Sequence, residues 1–166
     1  MTTTNTEARF KAAFDAYYRA IFSYAARRAG RDAAADLTAE VFTTAWRRIE
    51  HMPTEPDSLP WLYGVARKMV ANHHRAMKRQ RALHLKAVPS TQSVGMAADD
   101  PIVVRRELEQ MRPDDQEILR LAAWEDLGAT EIAAVLDLTP EAARVRLHRA
   151  RRRLAERLGT NLEGTN

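Results

Sequence analysis

The helical rhythm of apolar residues in this chain stops once, between Leu83 and Asp100, and then resumes. A single core cannot run through a stretch with so little to bury, so the sequence predicts two small domains, each with its own core. Ahead of the break, Phe10, Phe14, Tyr17, Ile21 and Tyr24 recur at helical spacing. They predict an amphipathic helix over 7–29, closed by Gly30. Asp32 is placed to cap a second helix with the stripe Leu37, Val41, Phe42, Ala45 and Ile49, ending before the turn-rich HMPTEPDS. Ser58 and Pro60 open a third, which buries Leu62, Val65, Ala66 and Met69 and runs to about Arg81. Within the break, KAVPSTQSVGMAADD has the small, polar composition of a tether.

Beyond the break, Asp100-Pro101 reads as a cap followed by proline at the first helical position. The helix that follows places Ile102, Val104 or Arg105, Leu108 and Met111 inward, and another runs from about Pro113 through Ile118, Leu119, Leu121 and Ala122 to Trp124. Thr130 is placed to cap a short helix with Ile132, Ala133, Val135 and Leu136 inside. An Asp137-Leu138-Thr139 turn then leads to Pro140, with Thr139 as cap of a last, basic helix. Short helix, tight turn and basic second helix describe a helix-turn-helix. On the basic helix Ala143, Leu147, Ala150 and Leu154 share one face, while Glu141, Val145, His148 and Arg152 point the opposite way with Arg144 and Arg149 on the flanks. The expected organisation is all-α: a first domain over 1–82, a tether over 83–100, a helix-turn-helix domain over 101–159 and a polar tail over 160–166. The 29 alanines against 9 valines and 5 isoleucines favour helix over sheet throughout.

Composition removes several function classes. The chain has no cysteine, which excludes disulfides, thiolate zinc sites and a cysteine nucleophile. No apolar run approaches the roughly 20 residues of a membrane span. The start, MTTTNTEARF, lacks the order of a signal peptide, so a cytoplasmic protein without membrane insertion is expected. No HExxH, glycine-rich phosphate loop, GxSxG or paired-carboxylate motif appears, so neither an enzyme nor a cofactor is expected. His73 and His74 are adjacent on a helix and point about 100° apart, which does not make a shared metal site.

Charge is more informative than the net +4. Between Ser58 and Ala98 there is no acidic residue, yet Arg67, Lys68, Arg75, Lys78, Arg79, Arg81 and Lys86 are present. From Arg144 to Arg157, seven arginines stand against one acid, Glu156. Two separated basic tracts predict two places where a polyanion is touched. The third helix carries Arg67, Lys68, Asn72, Arg75, Lys78 and Arg79 outward, with Trp61 and Tyr63 at its start. Cations for phosphates beside flat rings for unstacked bases suit single-stranded nucleic acid. The second helix has a polar stripe of Asp36, Glu40, Thr43 and Arg47 away from its core face.

DLTAEVFTTAWRRI with LPWLYGVARKMVANHHRAMKRQ resembles region two of bacterial extracytoplasmic-function sigma factors. QMRPDDQEILRL with GATEIAAVLDLTPEAARVRLHRARRRL resembles region four of the same family. The likeness covers about residues 10–81 and 105–158, in the family's order. It implies a dissociable initiation subunit of RNA polymerase. Asp36, Glu40, Thr43 and Arg47 would dock on the clamp helices of the largest core RNA polymerase subunit. Trp61, Arg67, Asn72, Arg75 and Arg79 would bind and open the −10 element of promoter DNA. Glu141, Arg144, Val145, His148, Arg149 and Arg152 would read the −35 element. An anti-sigma factor would hold the protein inactive and, in some cases, at the membrane. Asn72 stands where the family commonly has aspartate, and Glu141-Ala142-Ala143 where a Gly-Thr-Val run is common, so no promoter consensus carries over. The alternative reading is a stand-alone helix-turn-helix regulator. The tether bears on this: 18 residues reach roughly 60 Å at about 3.3 Å each, or some 17 base pairs of B-DNA.

Overall fold

The computed structural model describes the backbone of residues 2–84 and 102–163, with side chains from 5–84 and 102–159. Apart from Leu83 and His84, the expected tether lies outside the described residues, as does the Asp100-Pro101 cap. Every described element is helical, and the chain divides into two compact units, residues 1–95 and 96–166.

The first unit holds α1 (Thr2–Ala29), α2 (Arg31–Arg47), a short 3-10 turn at Ile49–His51, and α3 (Ser58–Leu83). Its core is Ile21, Tyr24 and Ala25 from α1, Leu37, Val41, Phe42 and Ala45 from α2, and Leu62, Tyr63, Val65, Ala66 and Val70 from α3. Gly30, not Asp32, precedes α2. The direct passage from α1 into α2 requires φ of +88° there, a conformation glycine adopts without a Cβ penalty. Asp32 instead sits in the first turn, where its charge complements the helix dipole. At one end, Ala13, Ile49 and Met52 form a small cluster against which Phe10, Tyr17 and Trp61 pack. Burial, and then a hydrogen bond to Glu55, push the Tyr17 phenol above its ordinary pKa. Phe14 departs from expectation: it faces Phe42 across α1 and α2, yet 37% of it stays exposed.

The second unit holds α4 (Ile102–Glu109), α5 (Pro113–Ala123), α6 (Ala129–Leu136) and α7 (Pro140–Glu163). Leu108, Met111, Ile118, Leu119, Leu121, Leu127, Ile132, Ala133 and Val135 make its core with Ala143, Leu147 and Ala150 of α7. Ile102, expected inward, is 82% exposed in the first turn of α4. Thr130 is not a cap either. Gly128 takes that place, and its N–H donates to the Glu131 carboxylate at 2.8 Å. The helix α7 continues to Glu163, so it takes in residues 160–163 of the expected tail.

Candidate nucleic-acid interface

The helix-turn-helix is built by local chemistry. Asp137 closes α6 in the left-handed region at φ 57°, which aspartate tolerates better than most residues. Leu138 returns its N–H to the Ala133 carbonyl at 2.9 Å. The Thr139 hydroxyl then accepts the N–H of Ala142 at 3.2 Å, capping α7 as the sequence predicted. Ala143 and Ala150 are fully buried, and these small side chains bring α7 close against its neighbours. The opposite face is therefore turned to solvent by geometry. Glu141, Arg144, Val145, His148, Arg149 and Arg152 are all exposed and share it. Arg152 also pairs with Glu156 at 2.9 Å, an exposed contact of little energetic weight.

Two arginines of the same basic tract do something else. Arg153 Nη1 lies 3.0 and 2.7 Å from the two oxygens of Asp115 on α5. Arg157 donates to Glu107 of α4 at 3.0 Å and to Gln110 at 2.6 Å. Both carboxylate side chains are only 7% exposed. The tract thus divides along the helix: Arg144, Arg149, Arg151 and Arg152 are exposed and Arg146 half-buried, while Arg153 and Arg157 bind α7 to its own domain. The sequence count of seven arginines overstated the charge available to a polyanion.

On α3, Val70 is the last buried residue, so the helix projects past its core as a basic rod. Lys68, Asn72, Arg75 and Arg79 are exposed, and their spacing of four, three and four puts them on one stripe. Arg67 is half-buried beside it. Arg75 donates to the side-chain oxygen of Asn72. Trp61 lies on the same side about 17 Å earlier along the axis, half-buried with part of its ring against the small cluster. Tyr63 is buried, its ring 5.4 Å from that of Tyr24. His74 does not join His73 in a site; its Nε2 lies 2.9 Å from the Arg28 carbonyl, fixing α3 to the end of α1. On α2, Asp36, Glu40, Thr43 and Arg47 are all exposed.

Among the features missed in sequence, the clearest is a row of rings at Phe10, Phe14, Tyr18 and Phe22, spaced by four and offset from the buried row of α1. Its signal, a second aromatic period in one helix, is present in the sequence, but the core stripe takes in Phe10 and Phe14 and leaves Tyr18 and Phe22 unassigned.

The profile of Sigma-70 region 2 matches residues 13–80, and that of Sigma-70, region 4 matches residues 102–154. The chain is 36% identical over 107 residues to the ECF RNA polymerase sigma factor SigD of Mycobacterium bovis, covering 60% of this chain and 50% of that protein. It is 27% identical over 154 residues to the ECF RNA polymerase sigma factor BldN of Streptomyces coelicolor, covering 87% and 58%. The chain spans about half the length of the SigD relatives it matches. The sigma factor RpoE from Bartonella quintana, solved in complex with the anti-sigma factor NepR, superposes with a TM-score of 0.70 at 19% identity. That alignment covers 91% of this chain and 97% of the other, a likeness of fold.

Proposed function

The chain belongs to the sigma-70 family, in its extracytoplasmic-function branch, and from that premise we propose that it directs core RNA polymerase to promoters with two elements. In this reading the exposed face of α7 reads the −35 element in the major groove. Arg144, Val145, His148 and Arg149 approach base edges, with Glu141 at the entry of the helix and Arg152 nearer the phosphates. The basic rod of α3 binds the −10 element as it opens. Arg67, Arg75 and Arg79 track phosphates, Asn72 lies near a base, and Trp61 offers the exposed part of its ring for stacking. The polar stripe Asp36, Glu40, Thr43 and Arg47 meets the clamp helices of the largest polymerase subunit. An anti-sigma partner is proposed as the source of control. None of the described helices is long and apolar enough to cross a membrane.

The observation that carries the reading is the division of labour on α7. Its capped first turns present Arg144 and Arg149 to solvent, while Arg153 and Arg157 are paired with the buried carboxylates of Asp115 and Glu107. A helix that served only to close a bundle would not need that separation. The chemistry required is binding and strand separation.

The test is transcription by purified core polymerase on genomic fragments, with and without the full chain. New, start-site-specific transcripts that depend on the chain are expected. Binding of duplex DNA without core, together with no gain in transcription, would replace this reading by a stand-alone regulator.

A further inference from the structure

The two ion pairs that tie α7 to its domain border a cavity of about 640 Å³ between α4, the turn into α5, and α7. Small-molecule sites run from about 300 to 1,000 Å³. Met111 is the one apolar residue in its wall, and the rest are charged or amide side chains. Four are arginines, Arg106, Arg112, Arg153 and Arg157, and three are carboxylates, Glu107, Asp115 and Glu156. Such a wall suits neither an apolar ligand nor the apolar face of a helix.

The charges do not balance within the cavity. Asp115 and Glu107 are buried, and each already holds an arginine, Arg153 and Arg157 respectively. Glu156 is exposed and pairs with Arg152, which lies outside the wall. Arg106 and Arg112 are exposed, and their guanidinium groups have no partner among the described residues. Nor are the paired arginines used up, since a guanidinium carries five N–H donors. Arg153 spends only Nη1 on Asp115, and Arg157 spends Nε and Nη2 on Glu107 and Gln110. Nε and Nη2 of Arg153 and Nη1 of Arg157 have no partner among the described residues. The buried carboxylates thus hold two guanidinium groups in place and leave donors on each for a ligand. A metal ion finds no such welcome: among the described residues no group of three His, Asp or Glu is placed to hold one.

We propose that the cavity binds a small polyanion, a molecule carrying two or more phosphate or carboxylate groups. Planar guanidinium groups meet both kinds of oxoanion bidentately. Arg106 and Arg112 take one group from the side of α4 and the turn, and the spare donors of Arg153 and Arg157 take another from α7. A single orthophosphate would leave much of the 640 Å³ empty and meet only part of the set. Bound in this way, the ligand ties the turn between α4 and α5 to α7 and stabilises the second unit by mass action. None of the four arginines belongs to the surfaces assigned above to promoter or polymerase.

Pyrophosphate and citrate are the probes, titrated calorimetrically into the full chain in a buffer free of phosphate, with sodium chloride at matched ionic strength as the blank. Saturable binding is expected, with a rise in the melting temperature of the second unit and shifts of the Gln110, Met111 and Arg112 amides in NMR spectra. The tighter of the two probes tells whether phosphate or carboxylate is the natural group. Arg106→Gln with Arg112→Gln removes two charges from exposed side chains, so the unliganded variant should melt near wild type. Its affinity for the probes should fall roughly tenfold or more, as loss of a charge-assisted hydrogen bond does. Lys78→Gln with Arg81→Gln removes the same charge from exposed positions of the first unit and should bind both probes as wild type does. Equal loss in the two double variants would reduce the site to diffuse attraction and overturn the proposal. So would amide shifts confined to other parts of the chain, or the absence of saturable binding by either probe. Duplex DNA that displaces pyrophosphate, and that binds Arg106→Gln with Arg112→Gln more weakly than wild type, would make the DNA backbone the occupant and overturn it as well.

Discussion

If Arg153 is an internal strut and not a DNA contact, removing it should destabilise the second unit and leave the ionic part of promoter binding unchanged. The Asp115 side chain is 7% exposed and receives one guanidinium nitrogen at 3.0 and 2.7 Å. Breaking a fully buried pair costs about 3–5 kcal/mol, because a charge is left without compensation. Here the Arg153 side chain is 48% exposed, so water and salt screen part of the interaction. A cost of about 1–3 kcal/mol for Arg153→Ala follows. For a unit of 71 residues (96 to 166), about 2 kcal/mol corresponds to a fall of roughly 10 °C in melting temperature. Asp115→Asn keeps the shape and should cost less, and the double variant should recover part of the sum. Hydrogen exchange of α7 amides, read in the full chain, localises the loss to the second unit. The same variants are then titrated with a −35 duplex over a salt series. Arg152→Ala should flatten the dependence of affinity on salt by about one phosphate contact, whereas Arg153→Ala should leave the slope as it is. A coupling energy below about 0.5 kcal/mol, within the range of distant independent sites, or a slope that falls equally for both arginines, would refute the division of the tract.

Arg144→Ala should cost roughly 1–3 kcal/mol in promoter binding and relax preference at one base position; unchanged preferences in a promoter library would remove its base-reading role. Alanine at both Arg67 and Arg75 should impair transcription from duplex promoters more than from templates opened in advance at −10. Equal loss on the two templates would move these residues to folding or to polymerase contact. Inserting five base pairs between the promoter elements adds about 17 Å and turns one element to the far side of the duplex. Transcription should collapse with each domain's own site intact, and undiminished output would mean the domains do not read one promoter together.

The architecture was legible because local signals agreed with one another. Apolar period, punctuation at Gly30 and HMPTEPDS, and the Thr139-Pro140 start all point to the same helices, and the structure has them. Helix starts were misplaced where a side-chain cap was expected. Asp32 and Thr130 have the right chemistry, but Gly30 and Gly128 occupy the positions where the backbone turns. A cap rule ranks side chains; it does not know how abruptly two helices must meet. Period alone places Phe14 and Ile102 in cores, yet period says only which residues share a face, and these two stay 37% and 82% exposed.

The candidate site was legible in the same sense and to the same limit. Periodicity separates the solvent face of α7 from its buried face, and all six residues expected on it are exposed. It does not separate Arg152 from Arg153, neighbours in sequence whose partners differ: exposed Glu156 for one and buried Asp115 for the other. What divides them is a carboxylate 38 residues earlier, and Glu107, 50 residues before Arg157, repeats the device one turn on. Because those pairs are long-range, they form only when the unit folds, and once formed they fix the rotation of α7 about its axis. The Thr139 cap and the αL residue Asp137 fix where the helix begins. Held at both ends, the helix from Glu141 to Arg152 is oriented before any ligand arrives, so the cost of placing its backbone falls on folding, and only the ordering of its exposed side chains is left to binding.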